Sequence, residues 1–210
     1  MSTLLIFGTR STAIEIFEVA KFELKNKFSK IFLVSENVND LNSKHECILD
    51  EDLDNFKGKE DVFYILSFTE QKLRKKMIEI SKNLKFKPVN VIHPLSIISK
   101  SSKIGLGNYI AAGSVLSSNC IVSDHCIINF NATVGHDSII NDHCILNPGA
   151  RISGNVKVGK RVLVGANSLI FQGISIDDDC LIDALTYIDR DIEKRMICSS
   201  KHLKIFKRVI

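Results

Sequence analysis

The stretch IVSDHCIINFNATVGHDSIINDHCILNPGA, residues 121–150, decides the fold. Val122, Ile128, Val134, Ile140 and Leu146 stand six residues apart, and Asp124-His125-Cys126 returns as Asp142-His143-Cys144 eighteen residues later. Continuing the step of six reaches back through Leu116, Ile110, Ile104 and Ile98 to Ile92, and forward through Ile152 and Val158 to Ile188. All seventeen positions on this register are Ile, Leu or Val. Strand side chains alternate with period 2 and helical faces recur with period about 3.6, so a period of six belongs to neither alone. It describes a repeat, a short strand plus a turn, whose single unit cannot bury its apolar side chain without a neighbour stacked on it.

Four residues after each aliphatic runs a second column, mostly small: Ser114, Cys120, Cys126, Ala132, Ser138, Cys144 and Ala150 over residues 114–150. The residue directly after the aliphatic is small or turn-forming, as in Gly105, Gly135, Gly159, Gly165 and Asp177, which predicts the corners at that place. Three six-residue units close one triangular coil of eighteen residues, and residues 92–188 supply between five and six coils of a parallel β-helix with no long inserted loop. The predicted division is a small N-terminal domain over 1–90, the β-helix over 91–192 and a basic segment over 193–210.

Composition bounds the function classes. With 45% hydrophobic and 25% charged residues in 210, and only 3 Pro and 11 Gly, the chain is neither disordered nor linker-rich. No apolar run approaches the roughly 20 residues of a membrane span, and MSTLLIFGTRS has no basic region ahead of its apolar stretch, so the expectation is a cytoplasmic protein with no membrane insertion. The net charge of +4 is local: residues 194–210 hold six bases and no acid, and everything before them sums to −2. Six charges at one end make no nucleic-acid-binding surface, though they favour a phosphate-bearing ligand. The six cysteines form no CxxC pair, and the spacing of six from Cys120 to Cys126 recurs for other small residues, which reads as reduced core residues, with neither zinc nor disulfides.

Ahead of the repeats, TLLIF at 3–7, a segment with Ile14, Ile16, Phe17 and Ala20 at helical spacing, and IFLVS at 31–35 read as a βαβ unit. VFYILSF at 62–68 reads as a further strand, followed by a charged helix with Thr69 as its N-cap. This is a Rossmann-like α/β domain. The loop Gly8-Thr9-Arg10-Ser11-Thr12 keeps only the first glycine of GxGxxG. Helix-start N–H groups there can take an anion beside Arg10, with Ser35 and Glu36 facing the same crevice; an ordinary strand-to-helix turn is the other reading.

Of six histidines, His136 has the most telling context, Val134-Gly135-His136-Asp137. Imidazole titrates near neutral pH, which suits a general base for an amine or hydroxyl, and an adjacent carboxylate orients the ring and raises its basicity. Counting eighteen residues on from His136 lands on Gly154, whose N–H is a candidate donor to a thioester oxyanion. His125 and His143 stack one coil apart and read as corner residues, not as a metal site.

The repeats resemble the hexapeptide-repeat acyltransferases, a resemblance that implies a left-handed β-helix, a homotrimer and acetyl-CoA bound between subunits. The βαβ domain, the step His93-Pro94 into the repeats and the VGHD sequence together are similar to the sialic acid/bacillosamine sugar acetyltransferases of the PglD and NeuD type. That resemblance implies N-acetylation of a nucleotide-linked (UDP- or dTDP-linked) 4-amino-4,6-dideoxy sugar for surface glycan, with His136 as base, Asp137 beside it and Gly154 at the oxyanion. It also implies a sugar contact at Asn129, nucleotide-sugar contacts at Gly8, Thr9, Arg10, Ser35 and Glu36, a coenzyme contact at Lys201, and no metal. Relatives commonly carry a second histidine where this chain has Ile145, and Ile197 to Ser200 also departs from their pattern. O-acetylation of a sugar such as sialic acid, and a catalytically inactive scaffold trimer, remain open on the same residues.

Overall fold

The computed structural model describes residues 2–24, 26–40 and 45–200. The N-terminal domain is a five-stranded parallel sheet: β1 (Thr3–Phe7), β2 (Lys30–Ser35), β3 (Cys47–Leu49), β4 (Val62–Leu66) and β5 (Lys87–Pro88), in the order β3-β2-β1-β4-β5. Period-two alternation in β1 divides its side chains between two cores. Leu4 and Ile6 pack with helix α1 (Ser11–Glu23), while Leu5 and Phe7 pack with Tyr64, Leu66 and Met77 on the side of α2 (Gln71–Asn83).

Two details differ from the sequence reading. The third predicted strand stops at Leu66, because Ser67 turns to bond Phe7 O through both its N–H (3.1 Å) and its hydroxyl (2.6 Å). The cap of α2 is Glu70 and not Thr69: the Glu70 carboxylate accepts from Lys72 N (3.0 Å) and Leu73 N (2.6 Å), two first-turn donors that one hydroxyl cannot serve together.

From Val91 onward the chain winds into two-residue strands stacked as three parallel sheets of seven, six and five strands, a left-handed triangular prism. Partners stand eighteen residues apart, as in Leu116↔Val134↔Ile152 and Val122↔Ile140↔Val158. The aliphatic column and the small column fill one continuous core, with Val134, Ile140, Leu146, Ser138, Cys144 and Ala150 all at most 1% exposed. Cys120, Cys126, Cys144 and Cys180 lie inside it and form no disulfide.

The corners are not where the sequence reading put them. Left-handed backbone occurs three residues after most of the aliphatics, as at Asn119, His125, Asn131, Asp137, His143, Asn155 and Asn167, with φ between 54° and 64°. Gly135, directly after Val134, instead lies flat on the next coil, where an added Cβ would stand 2.5 Å from Ser153 C. The coil also runs past 192. Ile197–Cys198 pairs with Leu181–Ile182 at a spacing of sixteen, so the final turn is two residues short and the predicted basic segment begins inside the prism.

The N-terminal domain sits on one prism face. Val91, Tyr109, Ile127 and Ile145, the outward residues of that face, join Ile16, Val19 and Ala20 of α1 in one core. At the neighbouring corner α2 clasps the prism: Arg74, 1% exposed, donates to His125 O and, at 2.7 Å, to Phe68 O, and Gln71 Nε2 donates to His143 O at 3.2 Å.

Candidate active site

Three prism corners carry three different chemistries. The first bears His136. Its Nδ1 lies 2.8 Å from Asp137 Oδ2, and Asp137 Oδ1 accepts from Asn119 Nδ2 at 3.1 Å. Those two hydrogen bonds hold the Asp137 carboxyl below its ordinary range, the one from His136 contributing most. An ionised carboxylate only accepts, so Nδ1 is the donor in this contact, and in the neutral ring the lone pair is then on Nε2. The ring lies against Gly154: a Cβ built there would fall 2.4 Å from His136 Nε2. Only glycine at 154 leaves room for this imidazole. Asn155 N donates to His136 O at 2.8 Å and ties the two coils together, while the Gly154 N–H has no acceptor among the described residues.

The second corner bears His125 and His143, parallel at 5.4 Å, with Tyr64 stacked on His125 at 5.7 Å. Burial pushes the His125 imidazole down to about 4, with His143 and Arg74 adding to the effect, and lowers Arg74 to about 10. This stack is interdomain packing. Ile145 is also packing: at 1% exposure beneath α1, it faces neither His136 nor solvent.

The third corner opens at Asn129, half-buried, whose Oδ1 accepts from Phe130 N at 2.8 Å. Asn129 and His136 therefore belong to different corners of one chain. Beside that corner lies a groove of about 530 Å³ that includes Phe130, Asn131, Thr133 and Arg151.

A cavity of about 430 Å³ at the carboxyl ends of β1, β2 and β4 is lined by Gly8, Thr9, Arg10, Ser35 and Glu36 among others, so these five predicted residues do come together. Gly8 has φ of 121°, and a Cβ there would meet Ser67 Oγ at 2.2 Å. The first turn of α1 has no side-chain cap, which leaves the N–H groups of Ser11 and Thr12, two residues lining this space, without an acceptor among the described residues. Asp50 also lines this space, and Lys76, outside the lining, pairs with Glu36 at 2.6 Å and with Asp50 at 3.4 Å. The sequence reading missed Asn119 and Asp50; Lys201 lies outside the described residues.

The repeats match two family models, the bacterial transferase hexapeptide (six repeats) over residues 137–172 and the hexapeptide repeat of succinyl-transferase over 155–190. No curated protein matches the sequence significantly. Among solved structures, the acetyltransferase domain of PglB from Neisseria gonorrhoeae superposes with a TM-score of 0.85 at 23% identity, covering 94% of this chain and 96% of that one. A histidine variant of perosamine N-acetyltransferase from Caulobacter crescentus, in complex with CoA and GDP-perosamine, gives 0.85 at 22% identity over 94% and 93% of the two chains. WeeI from Acinetobacter baumannii gives 0.84 at 16% over 91% and 93%. The chain thus has the fold of these proteins along nearly its whole length, an α/β domain on a left-handed β-helix of transferase-type hexapeptide repeats.

Proposed function

We propose that this protein is an acetyl-CoA-dependent N-acetyltransferase whose acceptor is an amino sugar on a nucleotide, a 4-amino-4,6-dideoxy sugar for surface glycan. The observation that carries the reading is the His136–Asp137 pair, 2.8 Å apart, with an unsubstituted Gly154 against Nε2. Support for donor and acceptor comes from the structures with the same fold: the PglB domain has been solved with acetyl coenzyme A, and the Caulobacter enzyme with CoA and GDP-perosamine.

In this mechanism the acceptor amine attacks the thioester carbonyl while His136 Nε2 takes its proton, a role worth about 10² to 10⁴ in rate. Asp137 steadies the imidazolium that forms. The Gly154 N–H donates to the carbonyl oxygen as it becomes an oxyanion. Collapse breaks the carbon–sulfur bond, and the proton held by His136 passes to the leaving thiolate. Direct attack fits the places of the cysteines: Cys120, Cys126, Cys144 and Cys180 are enclosed in the prism core, and Cys47 and Cys198 lie in the N-terminal sheet and the last coil.

The reaction belongs between copies of a homotrimer. One chain presents its crevice beside the His125 corner, Asn129 on another corner and His136 on the third, and a threefold assembly sets different corners of neighbouring copies against each other. Ile97, Leu169 and Tyr187, outward residues of one prism face, are 66%, 37% and 54% exposed in the single chain and suit burial against a neighbour. Donor, acceptor and reduced cysteines all suit the cytoplasm, and no helix among the described residues is long and apolar enough to cross a membrane.

Thiol release from acetyl-CoA, measured across UDP-, dTDP- and GDP-linked amino sugars with free sialic acid included, tests the reading. It expects turnover of a nucleotide-linked amine with the new acetyl group on nitrogen. Turnover of sialic acid alone would transfer the assignment to O-acetylation, and no release with any acceptor would overturn it.

A further inference from the structure

The corner that carries His136 is a polar ladder with one rung per coil: Ser101, Asn119, Asp137 and Asn155. Asn119 Nδ2 donates to Asp137 Oδ1 at 3.1 Å, Asp137 Oδ2 meets His136 Nδ1 at 2.8 Å, and the Asn119 N–H donates to Ser101 Oγ at 2.9 Å. Asn119 and Asp137 share the same left-handed backbone, φ 57° and 58°, so their side chains leave the prism edge in parallel.

This use of asparagine is local. Among the described residues, Asn90 and Asn141 give their carboxamide N–H groups to backbone carbonyls of Gly105 and Val158. The corner residues Asn131 and Asn167 lay their carboxamide oxygens against Gly113 and Gly149, filling space a glycine leaves open. Asn119 alone of these sends its amide to a carboxylate, and that carboxylate is the one on the imidazole.

We propose that Asn119 is a positioning residue for His136: its carboxamide anchors one oxygen of Asp137 so that the other holds Nδ1–H, which keeps Nε2 as the basic nitrogen above Gly154. A carboxylate rotates over a broad torsional range, and a bond to His136 alone fixes only one of its oxygens. The second anchor narrows that range and fixes the tautomer. The role rests on the reading of His136 as the base. Because Asn119 is exposed, water competes with its bond, and the effect belongs in the several-fold range and not the hundreds.

Two substitutions separate this role from a plain corner. Asn119→Gly keeps a residue suited to φ 57° and deletes the carboxamide. It should leave thermal stability and both KM values unchanged, lower kcat about three- to tenfold, and move part of the His136 population to the Nε2–H tautomer, read from 15N shifts. Asn119→Asp keeps the shape but turns the donor into an acceptor and adds a negative charge beside the pair. Negative charge favours the imidazolium, so the His136 titration and the acid limb of the kcat/KM profile should both rise by about half a pH unit. Wild-type kcat, pH profile and tautomer in the glycine variant would overturn the proposal. If the wild-type protein releases no thiol with any acceptor, the acetyltransfer reading fails by itself, and the tautomer and titration measurements still decide the role of Asn119.

Discussion

At the scale of the residue, the space above Gly154 sets the position of the His136 ring. A Cβ at 2.4 Å from His136 Nε2 cannot be accommodated without moving the ring, and the ring cannot move far without losing Asp137. Gly154→Ala should therefore lower kcat by about 10² or more, because an imidazole displaced by an ångström no longer meets the acceptor proton. Its thermal unfolding should change little, since the displaced ring is half exposed. Asp137→Asn should cost less, about tenfold: the ring stays, but a carboxamide can present its donor side to Nδ1 and favour the wrong tautomer. Rate and melting temperature measured on the same preparations check both. His136 was legible from four consecutive residues because neighbours on a corner are neighbours in sequence. Asn119 was not, since it lies a full coil away and only the stacked structure shows which atoms meet.

At the scale of the element, the same prism that stacks corners also buries charge-free columns. Val134→Asp or Ile152→Asp should abolish soluble protein, because each puts a carboxylate at a site 1–2% exposed with no partner for it. Circular dichroism and gel filtration of the expressed variants are the checks, and soluble native protein from either would contradict the inward column. The His125 corner has its own signature. Its folded-state pKa of about 4 lies below the ordinary value of 6.5, so the unfolded chain binds the extra proton first as pH falls. Stability from the neutral imidazole is complete above about 6.5 and is lost progressively towards 4. His125→Asn, which tolerates the left-handed corner, should flatten that part of the stability profile in urea unfolding at several pH values. The six-residue column was readable because one inward position of every repeat is aliphatic. The left-handed corner was recoverable too: Asn119, Asn131, Asn155, Asn167, Gly113 and Gly149 occupy that slot, a stronger turn signal than the glycines after the aliphatics, which serve close contact between coils. Arg74 could not be found, because a buried arginine in a charged helix carries no local mark until the prism beneath it is in place.

At the scale of the whole molecule, the step of six ends at Ile188 because the last coil drops two residues, a shortening that a fixed period cannot follow. The basic residues Lys194 and Arg195 thus belong to the closing coil: Lys194 stands 3.6 Å from Asp178, and the Arg195 N–H bonds Asp178 O. Lys201, six residues beyond Arg195 in the sequence, is the proposed coenzyme contact. Lys201→Ala should raise KM for acetyl-CoA about two- to fivefold and leave kcat unchanged, with added salt weakening the wild type more than the variant. An unchanged KM and salt response would leave the tail no part in holding the coenzyme. The central claim, that His136 is the base of an acetyl transfer, is most directly tested by steady-state CoA release from wild type and His136→Ala with the best amino-sugar nucleotide, alongside their melting temperatures. A fall in kcat of about 10² to 10⁴ with an unaltered melting temperature is the predicted result. Near-full turnover by the stable variant would contradict it.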